Sequence, residues 1–180
     1  MKKSLVIMIW LSTMIAGCSS NLLTSPATQA RSSLTDVFQT LVSCKSRERL
    51  DPVITVEQRD GINRFSFVCS NSADTNYSVS ITYFDNEAAA RSQFEVARGG
   101  NPVLCFHGYN QYEMVSGNNS NNSHIVEERH GWRAAKWIIS ITASYDYGYF
   151  HYNTIDFSEA VYTSGVKHGL FASGTCSMPG

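Results

Sequence analysis

The sequence predicts an α+β fold, an antiparallel or mixed sheet of about five to six strands with helices packed on one face, that is, a two-layer sandwich. Three observations lead there. Apolar residues at every second position, as in Phe65, Phe67 and Cys69 or in Tyr77, Val79, Ile81 and Tyr83, mark strands with one buried and one wet face. Apolar residues three and four apart, as in Leu34, Val37, Phe38, Leu41 and Val42, mark helices with a single apolar side. The elements then follow in the order α-β-β-β-α-β-(β)-β-α, with one apolar face per strand.

The first helix is expected from Ser32 or Ser33, where a serine can cap the start, to Cys44 at its end. A strand over Val53–Gln58 follows. Asp60-Gly61 is the strongest short hairpin signal in the chain, because both central residues of such a turn favour positive φ. The returning strand turns Phe65, Phe67 and Cys69 one way and Arg64, Ser66 and Ser70 the other, with Val68 as the exception. The next alternates Tyr77, Val79, Ile81 and Tyr83 with Ser78, Ser80 and Thr82.

The clearest helix lies in "FDNEAAARSQFEVARGGNP". Asp85 or Asn86 can accept from its first free amides, and Glu87 suits the positive end of its dipole. Ala90, Phe94 and Ala97 line one side, and Gly99-Gly100 and Pro102 stop it. Residues 103–115 read as one or two strands, and "NNSNNS" at 118–123 as a loop. Residues 124–136 fit either a helix or a strand pair turning at Gly131. Trp137–Tyr145 is a strand with Ile139, Ile141, Ala143 and Tyr145 on one face. A last helix, capped by Asn153 or Thr154, runs to about Phe171 with Val161, Tyr162, Gly165, Val166 and Gly169 on its apolar side.

The amino terminus is a different kind of sequence. Lys2 and Lys3 precede an apolar run from Leu5 to Ile15 broken only by Ser12 and Thr13. A basic start, a short apolar stretch and a small-residue exit are the parts of a secretory signal peptide, and the run is far shorter than the roughly 20 residues a membrane-spanning helix needs. The exit, Ile15-Ala16-Gly17-Cys18, resembles the lipobox of bacterial lipoprotein precursors. That resemblance covers only the first twenty or so residues; the globular part resembles no family we recognise. It implies cleavage before Cys18 and diacylglycerol on its sulfur. Because Ser19 rather than an aspartate follows, it also implies sorting to the outer membrane in the enterobacterial version of the class. One acyl chain binds a bilayer only reversibly, whereas two or three hold permanently. The implied organisation is a signal peptide at 1–17, a lipidated cysteine and flexible tether at 18–31, and one α+β domain at 32–180.

Five cysteines then divide into one lipid carrier and an even set, Cys44, Cys69, Cys105 and Cys176, in an oxidising compartment. Four cysteines allow three pairings; the reading favours Cys44–Cys69 and Cys105–Cys176, which tie segments to neighbours in sequence, over free buried thiols. In the chain-entropy model such loops stabilise by about 3.5 and about 4.4 kcal/mol. Two of the 14 Lys and Arg side chains and none of the 15 acids lie in residues 1–17, so the chain from Cys18 onward carries 12 basic against 15 acidic groups, a formal charge of −3. That balance argues against nucleic acid or an anionic lipid surface as the main partner.

No nucleophile elbow, zinc-protease helix, phosphate loop or dinucleotide fingerprint is present, and no cofactor is implied. In "HIVEERH" an extended strand would put His124, Glu128 and His130 on one face, a set able to hold zinc with an open position, although a solvated charged edge is the simpler reading and no metal is assigned. The aromatic run 145–152, with Tyr145, Tyr147, Tyr149 and His151, and with Phe106, Tyr109 and Tyr112 near, offers faces for stacking on a sugar or docking a partner. The competing reading packs these rings over the sheet edge. Gly165 and Gly169, four apart, permit close helix packing, most simply on the domain's own sheet. Arg129, Arg133 and Lys136 form a small basic cluster or a solvated face.

The function these features imply is that of an envelope lipoprotein, lipid-anchored through Cys18, that binds an envelope protein or a cell-wall glycan without being an enzyme. The alternative is an anchored envelope hydrolase using residues of 124–151.

Overall fold

The computed structural model of the chain describes residues 24–40, 53–70, 76–117, 125–146, 154–172 and 174–176. Its frame is one seven-stranded sheet in the order β1-β2-β3-β7-β6-β5-β4, in which every neighbouring pair is antiparallel. The strands are β1 (Thr55–Arg59), β2 (Ile62–Ser70), β3 (Asn76–Phe84), β4 (Leu104–Phe106), β5 (Tyr109–Gly117), β6 (Ile125–Ala134) and β7 (Trp137–Asp146). The helices are α1 (Pro26–Thr40), α2 (Glu87–Arg98) and α3 (Thr154–Lys167). The sheet is thus larger than the five to six strands expected and has no parallel pair. Residues 103–115 take the two-strand form of the one or two expected, the three-residue β4 folding onto β5 at a tight turn at His107-Gly108, both at positive φ.

Two meanders, β1-β2-β3 and β4-β5-β6-β7, join where β3 pairs with β7. Asp60 and Gly61, at φ 50° and 74°, make the expected hairpin between β1 and β2. The alternation sorts the faces as read: Phe65, Phe67, Tyr77, Val79, Ile81, Ile139 and Ile141 are all buried, and Val68 is exposed. With Leu34 and Val37 of α1, Phe157 and Val161 of α3, and Trp132, they form the main core. Lys167 and His168, at the end of α3, both reach the Asp36 carboxylate of α1, at 2.6 and 2.9 Å, and these bonds hold its pKa below the usual range.

The second helix departs from the two-layer expectation. Ala90 and Phe94 of α2 pack with Phe84, Tyr112 and Ile138 in a separate cluster. Ile138 and Phe84 alternate with the core residues Ile139 and Tyr83, so α2 lies on the opposite face from α1 and α3. An amphipathic helix announces that it has an apolar side, not which face of the sheet will meet it. Its ends are as read: Asn86 accepts from the Ala89 amide at 2.8 Å, and Gly99 closes the helix in the left-handed region.

Three boundaries also differ. Helix α1 starts at Pro26, within the stretch expected to be tether. Ser25 Oγ accepts from the Thr28 amide and Pro26 occupies the first turn, a serine–proline start that lies outside the apolar period. Residues 125–134 are one strand, neither helix nor a pair turning at Gly131; the chain turns at Ala135-Lys136 instead. Gly131 is small because the Tyr112 ring lies over it, where a Cβ would come within 2.5 Å of the ring carbons. Helix α3 stops at Lys167 and not near Phe171. Gly169, at φ 68°, and Leu170 donate back to Val166 and Gly165, so Gly169 caps the helix and shares no face with Gly165. Gly165 is buried, but the room it leaves is filled by the Phe171 ring and not by the sheet, while Val166 is exposed.

Candidate functional site

Cys105 is disulfide-bonded to Cys176, with Cα atoms 5.9 Å apart. The bond ties the segment after α3 to β4, and the Cys176 amide donates to Gly108 O at 2.7 Å. Cys69 is also disulfide-bonded; its expected partner Cys44 lies outside the described residues, as do Cys18, His124, Tyr147, Tyr149 and His151.

The described members of the aromatic candidate are buried. Tyr145, Phe106, Tyr109 and Tyr112 are between 1% and 8% exposed, so they present no stacking surface. Phe106, Tyr109, Trp132, Tyr162 and Phe171 instead contact one another edge-to-face, tilted or stacked at centroid separations of 4.9–6.4 Å. Tyr109 donates its hydroxyl to Ala172 O. Strand alternation puts Tyr145 on one face of β7, and that face is the one the core covers.

The metal and hydrolase candidates are similarly engaged. His130 is fully buried. Its Nδ1 bonds Ser158 Oγ on α3 and its Nε2 bonds Gln111 Oε1 on β5. Burial pushes its pKa down to about 4, so the ring is neutral at neutral pH and both nitrogens have partners. Glu128 accepts from the Thr154 amide and hydroxyl, at 3.1 and 2.7 Å, and so caps α3. Neither is the solvated edge group expected. Their shared face is the covered one, where each side chain joins β6 to α3. Among the described residues no three His, Cys, Asp or Glu side chains are placed to hold a metal ion.

The basic cluster separates into three settings. Arg133 donates to Glu87 Oε1 at 3.1 Å and Ala135 O at 3.0 Å. Lys136 stands 5.9 Å from the Tyr83 ring centroid. Arg129 donates to Glu127 at 2.7 Å and bonds the Tyr112 hydroxyl.

Arg129 leads to the feature that sequence reading missed. On the α2 side, Ser66, Ser80, Ser140 and Gly131 are aligned across β2, β3, β7 and β6 by the strand register, and Val68, exposed at the β2 side, Ser78, Thr142 and Arg129 form the next row. Short side chains on adjacent strands leave a trough, and α2 covers only one end of it, over Phe84, Ile138 and Tyr112. The concavity holds about 350 Å³, with Arg64 and Glu57 on the β1 side, Arg129 on the β6 side and Gln93 of α2 on its wall. Arg64 meets Glu57 at 3.6 Å with both groups more than half exposed, so most of its guanidinium faces water. Tyr112 closes the β5 end; burial pushes its phenol up, and its hydroxyl bonds Ser140 and Arg129. The signal was present as serines and threonines at alternate positions of β2, β3 and β7, but any wet sheet face looks the same in sequence. A larger concavity, about 580 Å³, lies against Glu113, Val115, Glu128, Tyr145 and Thr154, where Glu128 is engaged in the α3 cap.

No protein-family model, curated protein or solved structure matches the chain.

Proposed function

We propose that this chain is a lipid-anchored envelope protein, held through Cys18 in the outer membrane, whose α+β domain binds an envelope component without catalysing a reaction. The anchor rests on the lipobox-like exit Ile15-Ala16-Gly17-Cys18 after a basic, apolar leader. No described helix is long and apolar enough to cross a membrane, so attachment by such a helix finds no support among the described residues.

The observation that carries the binding role is the trough, a concave and hydrated floor of hydroxyls between two arginines. Its groups donate and accept hydrogen bonds, and the one carboxylate in its lining, Glu57, is turned to Arg64. The hydrolase alternative draws on 124–151. Of its histidines, His130 is buried with both nitrogens engaged and cannot reach a solvent-borne substrate, while His124 and His151 lie outside the described residues. An anchored binding domain also gains from the raised local concentration of ligand near the membrane.

The test has two arms. Replacing Cys18 with alanine should abolish incorporation of a fatty-acid analogue; unchanged labelling contradicts the anchor. Crosslinking in intact envelopes should then recover an envelope component with the lipidated chain, and recovery of none contradicts the binding role.

A further inference from the structure

Resting on that reading, we infer that the trough on the α2 side takes an anionic glycan, a chain of sugar hydroxyls bearing carboxylate or phosphate groups. The argument begins with what the trough lacks. The aromatic residues that line it, Phe84 and Tyr112, are 4% and 1% exposed, so no ring face is open to a sugar. Stacking on such faces is the ordinary source of affinity for neutral sugars and for the bases of single-stranded nucleic acid. Here affinity has to come from polar contacts, and in water these are strong when one partner is charged.

The lining supplies that charge at two separated points. Arg64 stands on β2 and Arg129 on β6, three strand spacings apart across the sheet. On β3, Thr82 lies opposite Arg64 and Ser78 lies in the row of Arg129, an offset of four residues along the strand. With strands about 4.8 Å apart and residues about 3.3 Å apart along them, the two backbone positions are about 20 Å apart, the scale of a short oligosaccharide. Each guanidinium has five N–H donors and meets a carboxylate, Glu57 at 3.6 Å and Glu127 at 2.7 Å, and Arg129 also bonds the Tyr112 hydroxyl. Donors remain on both for a carboxylate or phosphate, which arginine meets in a two-pronged geometry.

Between the two anchors lie Ser66, Ser80, Ser140 and Thr142, all half-buried. A hydroxyl both donates and accepts, so a floor of them matches sugar hydroxyls without demanding one arrangement. A docked protein surface would instead require apolar anchors buried at the centre, and the open middle of this trough has none. The acidic balance of the chain also opposes long polyanions, so the fit is to a ligand with a few charges set among hydroxyls.

Two envelope materials share this chemistry: cell-wall muropeptides, through carboxylates, and the lipopolysaccharide core, through phosphates. The experiment titrates the full-length folded chain with a purified disaccharide muropeptide, with deacylated phosphorylated core oligosaccharide, and with neutral chitotetraose. At least one anionic probe should bind, weakening as salt rises, while chitotetraose binds at least about tenfold less tightly, the difference one charge-assisted contact makes. Which anionic probe binds identifies the source. Arg64→Gln, an exposed substitution, should lower that affinity about tenfold. Ser80→Leu, which fills the floor, should abolish it with the circular dichroism unchanged; if Ser80→Leu unfolds, Ser80→Val serves in its place. Equal binding of chitotetraose, no binding of either anionic probe, or unchanged affinity in Arg64→Gln overturns the assignment. If the envelope crosslink survives while these titrations fail, the glycan is wrong and the binding role stands; if both fail, both fall.

Discussion

The two faces of the sheet are built from alternate residues of the same strands and have opposite characters. One face carries Phe65, Phe67, Tyr77, Val79, Ile81, Trp132, Ile139 and Ile141, almost wholly buried beneath α1 and α3. The other carries Ser66, Ser78, Ser80, Ser140 and Thr142, half in water, with one helix over one end. A shift of one residue in register would exchange them, so a single alternation both builds the core and sets out the binding floor. On the covered face His130 and Glu128 are engaged in bonds that join β6 to α3, while Trp132 Nε1 is buried with no hydrogen-bond partner among the described residues. On the open face Arg64 keeps donors for something else.

The contrast can be broken most forcefully from the covered side. Trp132→Ala should cost about 4 kcal/mol by chemical denaturation, the range for a large buried aromatic, because Phe106, Tyr109 and Phe171 surround the indole. A loss below about 1 kcal/mol would mean that this face is not the core.

Replacing Cys105 and Cys176 together with alanine opens a loop spanning 71 residues. In the chain-entropy model this should lower stability by about 4 kcal/mol, read as a drop in denaturation midpoint with a slope that is equal or steeper, because the freed unfolded chain is less compact. Non-reducing peptide mapping should also join Cys44 to Cys69; a Cys44 peptide linked to Cys105 or Cys176 would refute that pairing.

Acid tests the covered face through one side chain. His130 has a folded-state pKa of about 4, below the unfolded value near 6.5, so protons bind the unfolded chain first. Its contribution is therefore complete above about pH 6.5 and is lost as pH falls toward about 4, by about 3 kcal/mol in all. His130→Gln keeps a neutral hydrogen-bonding group and should flatten that part of the stability profile. A profile equally steep in the variant would place the titration elsewhere.

The open face should barely register in stability. Ser66→Ala or Ser80→Ala should change it by less than about 0.5 kcal/mol, as at ordinary wet positions. A larger loss would show that the serines hold the sheet together and are not a free floor.

How much of this was legible in the sequence follows from how far each signal reaches. Strand alternation, the Asp60-Gly61 turn and the Asn86 cap are local, and all three appear in the structure. The side chosen by α2, the burial of Tyr145 and the partners of His130 depend on residues far away in sequence, on which local pattern is silent. Gly131 misled because its small size serves an approaching ring and not a turn. The trough needed the strand order, since Ser66, Ser80 and Ser140 become neighbours only when β2, β3 and β7 lie side by side.

The division of labour between the faces is tested most directly by nuclear magnetic resonance on the isotope-labelled chain as a phosphorylated or carboxylated oligosaccharide is added. The amide signals of Arg64, Ser66, Ser80, Ser140 and Thr142 should move with the ligand, while those of Leu34, Val161 and Tyr162 stay in place. Movement concentrated on the α1 and α3 residues, or no movement anywhere, would contradict the assignment of the open face as the one that binds.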